Sequence, residues 1–129
     1  MSYSAYILTE TSRDFLLQRF KPMFPEVIAH HITFCFPDKG PPPEVSVVEV
    51  IGYANDDRIE CLIAQLDGET ERPSGGTYHI TLSLDRAQGA KPVHSNGLIK
   101  KGWQTLEKPL KIEVTAELVM PPPRTTTSK

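Results

Sequence analysis

Prolines mark where the structural elements of this chain must end. The sequence has 12 prolines among 129 residues. Because proline lacks a backbone N–H and fixes φ, it stops helices and is excluded from the interior of a sheet. Pro22 and Pro25 are therefore expected to end the first helix, and Pro37 to end the strand that follows it. The run Pro41-Pro42-Pro43 predicts a rigid, exposed loop.

Between these breaks, the hydrophobic pattern favours strands over helices. Strands are expected over residues 2–10, 27–36, 45–53, 58–66, 78–84 and 110–119, with a mobile loop over residues 67–77. One helix is expected after a cap at Thr11 or Ser12, and a shorter one after a cap at Ser95 or Asn96. Strands mostly in hairpin order, together with two helices, indicate an α+β domain built on an antiparallel sheet.

The chain length and net charge restrict which classes of partner are expected. The chain fits one domain over residues 1–119, followed by a Pro- and Thr-rich tail over residues 120–129 that is expected to be disordered. A net charge of −2 argues against a long nucleic-acid polymer as partner, whereas a small anionic ligand needs only a few local donors. No segment has the pattern of a signal peptide or a membrane span, so a soluble protein of the reducing cytoplasm is expected.

One four-residue pattern occurs twice, each time inside a predicted strand. The order is His, apolar, Thr, apolar, in His31-Ile32-Thr33-Phe34 and in His79-Ile80-Thr81-Leu82. Alternate side chains share one face of a strand, so the His and Thr of each motif point the same way, roughly 6 to 7 Å apart. The apolar residues, Phe36 among them, are expected to face the core, and His30 to lie on that opposite face. Two such strands side by side would present two imidazoles and two hydroxyls to one cleft.

This set of side chains suits an in-line displacement at phosphorus. One imidazole accepts the proton of the nucleophile and the other protonates the leaving oxygen, while Thr33 and Thr81 donate hydrogen bonds to the non-bridging oxygens. Histidine suits both roles because its ordinary pKa is about 6.5. The chemistry requires no metal, and the sequence lacks the Cys-x-x-Cys and His-Glu-x-x-His spacings of zinc sites. Cys61 alternates with isoleucines and is expected in the core.

The paired His-x-Thr motifs resemble the signature of the 2H phosphoesterase superfamily, which includes the LigT-type RNA cyclic phosphodiesterases. The resemblance covers roughly residues 1–119. It implies a two-lobed, pseudo-twofold α+β fold in which antiparallel sheets line a central cleft and two helices lie outside. It also implies cleavage of ribonucleotide phosphodiesters without metal or cofactor, with one catalytic set: His31, Thr33, His79 and Thr81.

The compact chain and its segment over residues 91–99 look like phage enzymes of the anti-CBASS type, which degrade cyclic oligonucleotide immune signals. That resemblance implies action in the host cytoplasm. The acidic balance agrees with a cyclic di- or trinucleotide, which carries two or three phosphates where a tRNA carries dozens. Two alternatives stay open: hydrolysis of 2′,3′-cyclic phosphates at RNA ends, and a non-catalytic protein that sequesters a nucleotide in the same cleft. The nucleophile, water or a ribose 2′-hydroxyl, and the acid and base roles of the histidines also stay open.

Further residues are candidate substrate contacts. Aromatic rings can stack on bases and a lysine can pair with phosphate, although such residues more often pack the core or stay solvated. Ser and Asn at a helix N-terminus can cap the helix or help it attract a phosphate. On these grounds the candidates are Tyr3, Tyr53, Lys91, Ser95, Asn96 and Trp103, and Arg72 in the loop before the second motif is another possible phosphate partner.

Overall fold

The computed structural model describes residues 2–120, which form two antiparallel sheets and two α-helices, so the predicted α+β class is confirmed. The predicted tail lies outside these residues except for Met120. In chain order the elements are β1 (Tyr3–Leu8), α1 (Glu10–Arg19), β2 (Glu26–Val27), β3 (His31–Cys35), β4 (Val48–Asn55), β5 (Ile59–Leu66), β6 (His79–Leu84), α2 (His94–Lys100), β7 (Gln104–Ile112) and β8 (Val114–Val119). Within residues 2–120, no helix is long and apolar enough to cross a membrane.

The two sheets differ in size and share a core. The smaller has the order β3-β1-β8 and the larger the order β2-β6-β5-β4-β7, with every neighbouring pair antiparallel. Ile32 of the smaller sheet and Leu62 and Ile80 of the larger sheet are fully buried in one hydrophobic cluster. A second cluster lies on the other face of β5, where the buried Cys61 and Ile63 pack with α2. Cys61 therefore belongs to the core, as the sequence predicts.

The chain passes from one sheet to the other within two segments that were each predicted to be one strand. Residues 27–36 are divided because Ala29 has a left-handed φ of 41°, after which the chain leaves β6 and pairs with β1 as β3. Residues 110–119 are divided at Glu113, whose N–H donates to the Ser12 hydroxyl over 2.6 Å. Both single-strand predictions are wrong, because the hydrophobic pattern does not record which sheet a strand joins.

Strand β7 begins at Gln104, six residues before the strand that the sequence predicts at Leu110. Pro109 lies inside β7. A proline is tolerated at this position because β7 is an edge strand of the larger sheet, where one row of N–H groups has no ladder partner.

The helix caps also differ from the predicted ones. Thr9 caps α1, with its hydroxyl accepting a hydrogen bond from the N–H of Ser12 over 3.2 Å. Helix α2 follows Val93 without a side-chain cap. Ser12 lies inside the first turn of α1, and Ser95 inside that of α2, where each hydroxyl bonds to another element of the fold. Both sets of predicted caps are therefore wrong.

Gly52 lies at an irregularity in β4 where the Trp103 ring packs directly on the backbone. A Cβ added at Gly52 would overlap Cε3 of Trp103, so Gly52→Ala is expected to lower the free energy of unfolding by about 1–3 kcal/mol. Gly97 offers a matched control, because it is exposed within α2 and nothing lies within 4 Å of its added Cβ. Gly97→Ala is expected to raise the free energy of unfolding by about 0.5–1 kcal/mol. Urea unfolding measures both; equal effects of the two substitutions would contradict the contact at Gly52.

Candidate active site

The two predicted motifs meet in one cavity of about 590 Å³ between β3 and β6. The four motif side chains all line it: His31, Thr33, His79 and Thr81. This volume lies within the range of about 300–1,000 Å³ that is usual for small-molecule sites. Because β3 belongs to the smaller sheet and β6 to the larger, the cavity lies between the two sheets.

The geometry of β3 and β6 explains why the motifs face each other. The N–H of Ala29 donates to the carbonyl of Thr81 over 2.9 Å, so β3 starts beside β6 and then diverges from it. Ile32 and Ile80, the apolar residues between each His and Thr, have no exposed surface. With these side chains in the core, the alternation of the strand turns each His and Thr toward the cavity. The predicted facing of both motifs is confirmed.

The His79 ring is held by one hydrogen bond that selects its tautomer. Nδ1 lies 2.9 Å from the carbonyl oxygen of Thr77. Since a carbonyl oxygen only accepts, Nδ1 carries the proton and Nε2 of the neutral ring has the free lone pair. Burial lowers the pKa of His79, the Thr77 carbonyl opposes that shift, and the nearby Arg72 charge adds to it. His79 is therefore neutral at pH 7 and ready to accept a proton at Nε2.

The His31 ring lies against two other rings. Its Nδ1 is 3.0 Å from Nδ1 of His30, and its centroid is 5.4 Å from that of Tyr3. Burial, with smaller contributions from His30 and His79, lowers the pKa of His31 from 6.5 to about 4. Both cavity imidazoles are thus uncharged at pH 7. The expectation that His30 faces away from His31 is wrong, because the turn at Ala29 places His30 before the strand begins.

Thr81 is supported from behind by α2. Its hydroxyl oxygen lies 3.0 Å from that of Ser95, and the exposed fractions are 8% for Thr81 and 0% for Ser95. Cys61 of β5 lies next to this pair, because it is the residue paired with Thr81 of β6. Burial raises the pKa of Cys61 to about 12, opposed by a hydrogen bond with Ser95, so the group is a thiol at neutral pH. Ser95, a predicted substrate contact, therefore touches Thr81 beneath the surface of the cavity.

The other predicted contacts lie in three different places. Tyr3 and Asn96 line the cavity with the motif residues. Tyr53, in β4, and Trp103, just before β7, line a separate depression, since these strands lie two and three places from β6 in the larger sheet. Lys91 is exposed and is not among the residues lining the cavity.

Tyr53 has a structural explanation of its own. Its hydroxyl donates to the buried Glu60 over 2.5 Å, and its ring stacks on Phe20 with centroids 5.9 Å apart. Glu60 also accepts hydrogen bonds from the N–H of Met23, over 2.7 Å, and from the hydroxyl of Ser83. These contacts attach the segment after α1 to the larger sheet, so Tyr53 is engaged in packing.

Sequence reasoning missed one prominent cavity residue. Phe36 was expected in the core, but it is 61% exposed and lines the cavity with its ring centroid 6.0 Å from that of Tyr3. The prediction is wrong because β3 ends at Cys35, so the alternation of the strand no longer applies to Phe36. The following Pro37 was the available signal, since it marks the end of the strand. The cavity therefore has an aromatic wall formed by Tyr3 and Phe36.

Within the described part of the chain, no three or more His, Cys, Asp or Glu side chains are grouped so that they could hold a metal ion. Comparison with known proteins gives no family model, no curated protein and no solved structure that matches this chain. What the cavity can do therefore has to be argued from its own side chains.

Proposed function

We propose that this protein is a metal-independent phosphodiesterase that cleaves ribonucleotide phosphodiester bonds. The observation that carries the proposal is the meeting of two His–Thr pairs, from separate strands, in one cavity. The proposal includes membership of the 2H phosphoesterase superfamily and a LigT-like, pseudo-twofold fold. The position of one motif in each of two antiparallel sheets supports this part of the proposal.

The proposed reaction divides proton transfer between the two imidazoles. One ring takes the proton of the attacking oxygen as the new O–P bond forms, and the other gives a proton to the leaving oxygen as its bond to phosphorus breaks. With a 3′-5′ linkage, the attacking oxygen is the adjacent ribose 2′-hydroxyl and the product a 2′,3′-cyclic phosphate; otherwise water attacks. Thr33 and Thr81 donate to the non-bridging oxygens, where negative charge develops.

The lowered pKa values of His31 and His79 couple substrate binding to proton uptake. Both rings are neutral in the free protein, yet the general acid must be protonated. A phosphodiester anion between the rings favours the charged form of one of them. The substrate therefore brings about the uptake of one proton and so produces the acid–base pair that the reaction needs.

The pH dependence of kcat/KM is expected to be bell-shaped, with its maximum below pH 6.5. The active form has one ring neutral and one protonated, and this form is most populated between two pKa values that both lie below 6.5. Because kcat reports the bound state, in which the phosphate favours a charged ring, its maximum is expected at a higher pH. Steady-state rates between pH 4 and 9 measure both profiles. A flat profile from pH 5 to 8 would argue against the two histidines.

A cyclic di- or trinucleotide is the proposed substrate, in the role of an immune signal degraded by an anti-CBASS activity. The cavity of about 590 Å³ suits a small ligand, and its aromatic wall, Tyr3 and Phe36, offers ring faces to bases. A net charge of −2 agrees with a ligand of few phosphates.

The test is to incubate trace protein and EDTA with a panel of cyclic di- and trinucleotides and with an oligoribonucleotide that ends in a 2′,3′-cyclic phosphate. The control is the double variant His31→Ala, His79→Ala. Turnover of a cyclic oligonucleotide by the wild type alone is the expected result. Turnover of the RNA end alone would indicate an RNA end-processing enzyme instead. Stoichiometric capture of a nucleotide that is recovered intact on denaturation would make the protein a sequestering protein instead.

A further inference from the structure

We propose that Arg72 binds a substrate phosphate other than the one being cleaved, and so selects nucleotides with at least two phosphates. This inference rests on the proposed function, because it assumes that the cleaved phosphate lies between the two motifs. It narrows the substrate class to one in which a second phosphate is held near the first, as in a cyclic dinucleotide.

The first support is the charge of the cavity. Arg72 is the one Lys or Arg among the described residues that line it, and no Asp or Glu is among them. His31 and His79 are neutral at pH 7, so Arg72 supplies the formal positive charge. The ion pair recorded within residues 2–120 joins two other residues, Arg86 and Glu26. Arg72 therefore faces the cavity without a carboxylate that would neutralise it.

The second support is that the guanidinium is held in place by a turn. The N–H of Arg72 donates to the Gly76 carbonyl over 2.8 Å, and the N–H of Gly75 donates back to the Arg72 carbonyl over 2.9 Å. Nε of Arg72 donates to the Gly75 carbonyl over 3.0 Å. A Cβ at Gly76 would lie 2.5 Å from Nη2, so glycine leaves the space that the guanidinium occupies. These hydrogen bonds occupy Nε. The two terminal Nη groups stay available to bind a phosphate as a fork.

The third support is the position of this turn relative to the reacting groups. Ser74 donates a hydrogen bond to the Phe34 carbonyl over 3.4 Å, so the turn reaches β3 just beyond Thr33. Nδ1 of His79 points toward Thr77, on the side from which the turn comes, while Nε2 is the atom that exchanges the proton. In the proposed reaction the cleaved phosphate contacts Nε2, whereas the turn that carries Arg72 approaches from the Nδ1 side. A second phosphate of the same ligand is the group that Arg72 meets.

The test compares two substrates in the wild type and in Arg72→Gln. A cyclic dinucleotide carries a phosphate in addition to the reacting one, whereas a 2′,3′-cyclic mononucleotide carries only the reacting phosphate. For the cyclic dinucleotide, Arg72→Gln is expected to lower kcat/KM by about 10- to 100-fold, mainly through KM, since a hydrogen bond to a charged group is lost. For the cyclic mononucleotide, the change is expected to stay within about threefold. Arg72→Lys, which retains charge without the fork, is expected to fall between the two on the dinucleotide.

Arg58→Gln is the matched control. Arg58 is half-exposed, as Arg72 is, and lies at the β4–β5 turn outside the cavity, so the same loss of charge is expected to leave both substrates unaffected. Equal losses on both substrates in Arg72→Gln would mean that Arg72 acts at the reacting phosphate, and no loss on either would mean that it binds none. Each result would overturn the inference while leaving the proposed function in place.

The anion site can also be tested by a readout that does not depend on catalysis. If the wild type cleaves none of the substrates, the proposed function fails, and the anion site is tested by titrating pyrophosphate while following the backbone amide resonances of Gly75 and Gly76, in the same turn, by NMR. Saturable binding that Arg72→Gln abolishes would support the anion site independently of catalysis. A wild type that does not respond to pyrophosphate would overturn it.

Discussion

His79→Ala is expected to lower kcat by about 10²- to 10⁴-fold on the substrate that the wild type cleaves. The substitution removes Nε2, the nitrogen that the Thr77 hydrogen bond leaves free to exchange a proton. His31→Ala is expected to have an effect of the same order, because each proton transfer needs its own imidazole. Single-turnover rates with excess enzyme measure the loss in the chemical step, and circular dichroism checks that both variants fold.

His94→Ala is the matched control for these two variants. His94 is the first residue of α2, its ring accepts a hydrogen bond from the Lys91 N–H over 3.1 Å, and it is not among the residues that line the cavity. The same substitution at His94 is expected to retain most of the activity. If His31→Ala or His79→Ala kept more than about one tenth of the wild-type kcat, acid–base catalysis by that residue would be excluded.

Thr81→Val is expected to lower kcat by about 10²- to 10³-fold with a smaller change in KM. Valine keeps the shape of the side chain and removes the hydroxyl that is proposed to donate to the non-bridging oxygens, where negative charge develops. This role requires Ser95 to be the donor in the 3.0 Å contact between the two hydroxyls, which leaves the O–H of Thr81, a residue that lines the cavity, for the substrate. Steady-state kinetics on the cleaved nucleotide separate the two constants.

Two further substitutions test whether the loss of kcat in Thr81→Val comes from the Thr81 hydroxyl. Thr115→Val makes the same change at an exposed position of β8 and is expected to leave kcat unchanged. Ser95→Ala keeps the Thr81 hydroxyl but removes its buried partner, so it is expected to lower kcat by roughly tenfold, as for one lost hydrogen bond. A wild-type kcat in Thr81→Val would show that the Thr81 hydroxyl does not bind the transition state.

The sequence predicts those features of the candidate site that depend only on residues close together in the chain. Each motif places His and Thr on one face because a strand has a period of two, and the buried Ile32 and Ile80 fix which face that is. The β4–β5 hairpin and the loop before β6 follow from turn residues in the same way. These features depend on neighbours in sequence, so the pattern of residues contains them.

Other parts of the site depend on contacts that the sequence does not display. Tyr53 and Trp103 have the right chemistry for stacking on bases, but the order of strands in the larger sheet places them away from β6. Phe36 lines the cavity because β3 ends one residue earlier. Ser95 resembles a helix cap in sequence, yet the packing of α2 places it behind Thr81. For Tyr53, Trp103 and Ser95 a long-range contact overrides the local preference, whereas the end of β3 before Phe36 is marked locally by Pro37.

The sequence by itself determined the two His–Thr pairs, their shared facing and the α+β class, because these follow from side-chain chemistry and the period of the strand. Only the tertiary structure decided that the pairs meet. The left-handed turn at Ala29 moves the chain from the larger sheet to the smaller one, and β3 thereby comes to lie beside β6. That turn is stable because both sheets bury their apolar faces in one core, a condition that involves residues far apart in the chain.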